Sequence, residues 1–268
     1  MKQVICLNLL CLVLMTSVAQ KPYPPVAAAN IMHSMMALRT PPLHIGVTIT
    51  EGTNFQVPAV YPATAVSAEI YLRKNAAYVR FGEFEQLASD SLALMINDSL
   101  QQMFLISSSI ADLNQQWYGM LGVGNERMVA VAIDSIYRIE QNPEGYRLLS
   151  KADLSGIRTP REVIDLVINE RDKQLTRLKI TRRSIVLLDS AKAEALKDSG
   201  FPADKIIHGR DISYVVKETY MQMDYRYIDT QDGQLPYILS DRIGKDEAGQ
   251  WKPVSGYVSY QLINQTTL

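Results

Sequence analysis

Residues 67–106 read SAEIYLRKNAAYVRFGEFEQLASDSLALMINDSLQQMFLI, and the punctuation of this stretch decides the architecture. Ser67–Arg73, Ala76–Phe81, Leu92–Asn97 and Gln102–Ile106 are short apolar and aromatic runs of the kind that form strands. Lys74-Asn75 and Asn97-Asp98-Ser99 carry turn chemistry. Glu83–Ala88 continues the second hairpin as an edge. Connections this short join antiparallel neighbours, because a parallel crossover needs about a dozen residues or more. The stretch therefore predicts a meander.

Upstream, Leu43, Ile45, Val47 and Ile49 alternate with His44, Gly46, Thr48 and Thr50, the pattern of a half-buried strand with His44 on its polar face. Residues 51–65 read as a loop. Ala27–Leu38 has high helical propensity, and Ile31, Met35 and Leu38 share one stripe. Lys21–Pro25 is an extended lead-in. Downstream, Ser108–Met120 predicts a second helix, with Ile110, Leu113, Trp117 and Leu121 at helical spacing. Ile133–Glu140 and Tyr146–Ser150 predict a hairpin turning at Asn142–Gly145. Val163–Asn169 and Leu175–Thr181 predict another, turning at Glu170–Lys173. Ser190–Ser199 predicts a short helix ended by Gly200. Ile212–Ile228, Leu235–Arg242 and Val254–Ile263 predict extended chain, with turns at Gln231–Gly233 and Gly244–Gly249. The sum is one antiparallel α+β domain of about ten strands and three helices.

The chain has 268 residues, 47% of them hydrophobic, with 27 Lys+Arg against 28 Asp+Glu. That is enough to bury a sizeable core, and the composition is not that of a disordered chain. A charge balance near zero lacks the concentrated positive field that nucleic-acid binding needs. Lys2, the apolar run Val4–Met15 and the small residues Thr16–Ala19 form a signal-peptide pattern, with cleavage expected after Ala19. Both cysteines, Cys6 and Cys11, fall inside it. The mature chain would then hold no disulfide, no cysteine-ligated metal and no thiol nucleophile. An exported, cysteine-free protein fits the bacterial envelope, so the expected location is the periplasm, with secretion beyond the outer membrane as the alternative.

Few residues carry a recognisable chemistry. His33, His44 and His208 lie in three different predicted elements and form no zinc-ligand spacing. Gly122-Val123-Gly124 resembles a dinucleotide loop, but Arg127 replaces the third glycine and a helix, not a strand, precedes it. No nucleophile elbow or phosphate loop is present, and the carboxylates form no pair with readable geometry. No catalytic residue, metal or cofactor is expected. The run from Arg177 to Arg183 alternates basic and apolar residues, which predicts its cations Arg177, Lys179, Arg182 and Arg183 on one strand face, either solvated or turned to a partner. In Tyr214–Tyr227, Val215, Met221, Met223, Tyr225 and Tyr227 share one parity, while Tyr214, Val216 and Tyr220 share the other. Such a strand either lies covered on both sides in an ordinary core or lines a cavity on one side.

The order of elements resembles the periplasmic outer-membrane lipoprotein carriers and their wider superfamily. The resemblance rests on the signal peptide, the helix before the first strand, Asn75–Phe81, Ser91–Asp98, Gln101–Ile106, Val163–Asn169 with its charged turn, and Gln234-Leu235-Pro236. It covers most of residues 26–263. It implies a half-open antiparallel β-barrel covered by two or three helices, whose apolar cavity shields acyl chains. Arg73 and Arg80 are the candidates by location for the cavity arginine of that family. The loop at 51–65 and the segment 108–125 depart from the compact carriers.

The expected organisation is a signal peptide (1–19), a lead-in (20–25), one carrier-like domain (26–263) and a short tail (264–268). The expected function is non-enzymatic binding of a lipid or lipid-modified partner. The cavity and its lid are assigned to Met32, Met35, Met36, Ile70, Leu72, Val79, Phe81, Met103, Trp117, Met221, Met223 and Tyr225. The alternative is an envelope interaction or assembly protein with a filled core, docking a protein partner through its sheet edges or the Arg177–Arg183 face.

Overall fold

The computed structural model describes residues 31, 41–55, 65–89, 91–108, 133–139, 142–150, 153–154, 157–169, 171–202, 205–209, 212–228 and 237–266. The meander is present in full. It runs through β1 (Leu43–Thr53), β2 (Ala65–Leu72), β3 (Ala77–Phe81), β4 (Phe84–Ala88), β5 (Leu92–Asn97) and β6 (Gln102–Ser107), each antiparallel to the next. Phe81 pairs with Phe84, so Gly82-Glu83 is a two-residue loop. Gly82 takes φ +58° there, the left-handed value that a tight hairpin asks of its first loop residue.

The second half of the sheet comprises β7 (Ile133–Ile139), β8 (Asn142–Ser150), β11 (Glu162–Asn169), β12 (Gln174–Leu188) and β14 (Ser213–Tyr227). Between β8 and β11, β9 (Asp153–Leu154) and β10 (Ile157–Pro160) pair with each other, and β13 (Ile206–His208) pairs with the start of β14. The two halves meet at β1, which pairs antiparallel with β2 on one side and with β14 on the other. The strand order is β17-β6-β5-β4-β3-β2-β1-β14-β12-β11-β8-β7, where β17 is Gln261–Asn264. β17 and β7 do not pair, so among the described residues this thirteen-stranded sheet is open and not a closed barrel. Among the described residues there are seventeen strands, where about ten were expected. The excess comes from short pairs and from splitting of the late segments.

One whole helix, α1 (Ser190–Asp198), lies among the described residues. The Asp189 side chain accepts from the Lys192 N–H at 2.8 Å, capping its first turn. Gly200 follows at φ +82° and donates to the Lys197 carbonyl, the glycine-terminated ending expected of it. Ala193 and Leu196 pack with Leu188, Ile206 and Val215. Of the helix expected at Ala27–Leu38 only Ile31 is described, and it is helical. The signal peptide, the lead-in, the body of the Ser108–Met120 helix, Gly122–Arg127 and Gln231–Pro236 lie outside the described residues.

Two further expectations are corrected. Asn142–Gly145 do not form a turn: Asn142 pairs with Ile139 and Gly145 with Val167, which places them in β8. The C-terminal stretch is not two long strands. A 3-10 turn (Leu239–Asp241) leads into the hairpin of β15 (Ile243–Lys245) and β16 (Trp251–Pro253). Two successive turns follow, with the Tyr257 N–H donating to Val254 and the Tyr260 N–H to Tyr257. The spacing of three between Val254, Tyr257 and Tyr260 is a turn spacing, where a strand would need two.

The sheet has apolar side chains on both faces. One face carries Ile45, Val47, Ile70, Leu72, Val79, Leu166, Leu178, Met223 and Tyr225 in a single cluster that includes Ile31. The opposite face of the N-terminal half carries Tyr71, Tyr78, Leu87, Leu94, Ile96, Met103 and Leu105, covered by Ile243, Leu239, Trp251, Tyr257 and Tyr260. Full burial of a Leu, Ile or Met stabilises by roughly 1.5–3 kcal/mol, so both layers matter to the fold.

Candidate ligand-binding face

The candidate site is the face that holds Ile31. Register places its members in rows across the strands. Val47 pairs with Tyr225, Ile49 with Met223 and Ile45 with Tyr227. On the other flank Met223 pairs with Leu178 and Met221 with Ile180. Ile45 pairs with Ile70, and Ile70 in turn with Val79. Strand alternation puts all of these on one side. Of the sequence-assigned residues, Ile70, Leu72, Val79, Met223 and Tyr225 are core members of this cluster, and Phe81 and Met221 pack against it.

Met103 does not join them. It pairs with Ile96 and lies in the cluster of the opposite face, beneath the C-terminal segment. Neighbouring Met103 and Phe104 alternate in direction, and the register with β5 sends Met103 to the other side. Met32, Met35, Met36 and Trp117 lie outside the described residues. Arg73 and Arg80 are both off the apolar face. Arg73 donates to the Tyr71 hydroxyl at 3.3 Å, and Arg80 sits opposite Glu69 and Glu85 and 3.6 Å from Asp98.

The face is closed in this structure. Ile45 and Met223 are 0% exposed, and Ile31 is 2% exposed. Its polar groups are few. The Tyr225 hydroxyl donates to Met223 Sδ at 3.3 Å. Burial, the largest cause in each case, pushes the Tyr227 hydroxyl up to about 12 and raises that of Tyr225 as well. Gln86, opposite Val79 and Met95, is a buried amide on the same side. Sequence reading did not select Gln86, Ile45, Val47 or Leu178. Parity alone would have selected the last three, whereas a polar residue such as Gln86 gives no inward signal.

The basic strand is divided. Arg177, Lys179 and Arg183 share one parity of β12, while Arg182 falls on the other, since consecutive residues point to opposite faces. Each cation meets a group within the sheet. Arg177 Nε is 2.6 Å from Asp224, Arg183 Nε 2.7 Å from Glu218 and Arg182 Nε 2.8 Å from Glu162. Lys179 Nζ lies 4.5 Å from the Tyr220 ring centroid. The expectation of a single cationic face is therefore corrected.

A group that sequence reading missed lies on the opposite face. Arg242 and Glu85 form a bidentate pair at 2.9 and 3.1 Å, with side chains 10% and 4% exposed. The guanidinium also lies against the rings of Tyr237 and Tyr257, 4.5 and 5.0 Å from their centroids. No local pattern marks a pair separated by 157 residues.

No protein-family model matches the chain, and no curated protein matches it. Among solved structures, it is similar to an uncharacterized conserved protein from Thermus thermophilus, at 9% identity and TM-score 0.36, over 89% of this chain and 99% of that one. It is similar to a LolA superfamily protein from Nitrosomonas europaea, at 10% identity and TM-score 0.23, over 76% and 95%. A third is an outer membrane lipoprotein-sorting protein domain from Vibrio parahaemolyticus, at 11% identity and TM-score 0.25, over 77% and 93%. These TM-scores lie below 0.5, and the functional reading rests on the sheet itself. Among the described residues no helix is long and apolar enough to cross a membrane.

Proposed function

We propose that this is an exported, non-catalytic binding protein that holds an acyl chain or lipid-modified partner against the face of Ile45, Ile70, Met221, Met223 and Tyr225. The observation that carries the reading is that face itself, a continuous apolar surface spanning strands from both halves of the sheet, with Ile31 seated on it. Methionine and tyrosine suit the role. Thioethers adapt to irregular apolar ligands, and the few hydroxyls give a buried ester a partner.

Ligand entry requires Ile31 to leave the face on which it packs. Burial of an acyl chain supplies ~0.8 kcal/mol per methylene, or ~13 kcal/mol gross for sixteen. Displacing the cover and ordering the chain subtract several kcal/mol. Reseating of Ile31 then competes with the ligand and promotes release. The signal-peptide pattern and the cysteine-free mature chain support a periplasmic location.

The full burial of Ile45 and Met223 favours one competing reading, a filled scaffold that docks a protein partner. Native mass spectrometry of the protein purified from an envelope fraction, followed by solvent extraction, separates the two. A co-purifying phospholipid or acylated peptide supports the carrier. A clean apo mass with no uptake of added lipid overturns it.

A further inference from the structure

On the face of the sheet opposite the proposed lipid surface, the arginines of β8 and β12 are neutralised within the sheet. Arg147 is held by Asp165 at 2.7 Å, Arg177 by Asp224 at 2.6 Å and Arg183 by Glu218 at 2.7 Å. Arg226 of β14 breaks this pattern. Its register partner on β1 is Gly46, which offers no acid and no side chain. The guanidinium lies over that glycine: a Cβ built on Gly46 would sit 3.5 Å from Arg226 Nε and Nη2. Arg226 is exposed and has no ion pair among the described residues.

Gly46 and Arg226 border a groove of about 550 Å³. Register runs Arg226, Gly46, Glu69 and Arg80 across four adjacent strands, and these residues line it together with Ser67 and Ile228. Glu69, the carboxylate in this row, is engaged by His44 Nε2 at 2.8 Å. Arg80 is shared with Asp98 at 3.6 Å, which leaves Arg226 as the cation of this row without a counter-ion among the described residues. Its planar fork matches a phosphate or carboxylate in bidentate fashion. The groove is larger than a bare anion needs, within the ~300–1,000 Å³ range of small-molecule sites, and Val66 and Ile228 add apolar wall.

We propose that the groove over Gly46 is an oxyanion site, with Arg226 as the primary ligand-binding group, for a phosphate that carries an organic substituent. The phosphate could belong to a free ester or to a phospholipid headgroup, and the test distinguishes them. Inorganic phosphate, glycerol phosphate and soluble dihexanoyl phosphatidylglycerol are titrated separately into the protein, with the Arg226 Nε–H resonance as readout. Saturable shifts are expected with both esters, tighter than with inorganic phosphate; tighter binding of phosphatidylglycerol than of glycerol phosphate marks a headgroup as the source, and equal binding of the two marks a free ester. Arg226→Gln should weaken binding about tenfold or more, as loss of a charge-assisted bidentate contact does, and Arg226→Lys should restore part of it. Arg226 is exposed and has no ion pair among the described residues, so Arg226→Gln leaves the fold intact, and Gly46→Val should weaken binding by pushing the guanidinium off its seat on the glycine. No saturable shift with either ester, inorganic phosphate binding as tightly as the esters, or equal affinity in Arg226→Gln, overturns the proposal.

Discussion

Glu85 on β4 and Arg242 beyond the 3-10 turn share two hydrogen bonds, at 2.9 and 3.1 Å, in a pocket that leaves their side chains 4% and 10% exposed. The pair fastens the C-terminal segment to the meander. The Tyr237 and Tyr257 rings, on either side in sequence, contact the same guanidinium. A carboxylate buried without its partner loses both its hydrogen bonds and its solvent. Arg242→Met should therefore lower unfolding free energy by ~3–5 kcal/mol in urea denaturation. The double variant Glu85→Leu with Arg242→Met should lose less than the single one, because no stranded charge remains. A loss below ~1 kcal/mol for Arg242→Met, the value of an exposed pair, would contradict this role.

Three tyrosines give the protein an alkaline limit. Burial, the largest cause in each, pushes Tyr78 and Tyr227 up to about 12 and raises Tyr225 too. Unfolded tyrosine ionises near ~10. Above that value the unfolded state holds fewer protons than the folded one, so stability falls with rising pH. The stabilisation is whole below ~10 and drains away as pH climbs towards 12. Phenolate absorbance of these residues should appear only as the circular dichroism signal is lost. Tyr227→Phe should flatten part of that slope. Complete phenolate formation near the ordinary value, with the fold intact, would contradict the placement of these rings.

β17 closes one edge of the sheet by a parallel pairing of Gln261–Asn264 with Gln102–Leu105. Its removal would bare the N–H and C=O groups of β6, and exposed edges recruit other strands. A chain ending at Tyr260 should self-associate in sedimentation velocity, while the full chain stays a single species at the same concentration. A truncated chain that sediments like the full one would show that β17 is not what guards this edge.

Much of the sheet was legible because its evidence is local. The alternation from Leu43 to Ile49 and the short connections between Ser67 and Ile106 each state a strand or turn within a few residues. The same parity placed Met221, Met223 and Tyr225 together. Facing was not legible where it depended on distant partners. Met103 and Phe104 offer apolar bulk in opposite directions, and only the register between β5 and β6 decides which one meets the candidate face. The seam of β1 with β14 joins residues about as far apart as Thr48 and Asp224, and no turn signal announces it. β12 runs on to Leu188 through Thr181–Ser184, a polar stretch that looks like an ending until Glu162 and Glu218 are seen to pair with Arg182 and Arg183. Gln86 and Arg242 were unreadable for a related reason: a polar side chain is buried when its tertiary neighbours provide for it.

In the proposed function, a ligand replaces Ile31 on the apolar face. Ile31→Ala removes three methylene-sized groups from a fully covered site and should destabilise by ~2–5 kcal/mol. The same change weakens the competitor, so a titration with a fluorescent long-chain fatty acid should show saturable uptake by the wild type and tighter uptake by Ile31→Ala. The gain should approach the factor by which the uncovered state becomes more populated. An absence of saturable uptake by either protein, with both folded, would contradict the carrier account and leave a filled scaffold in its place.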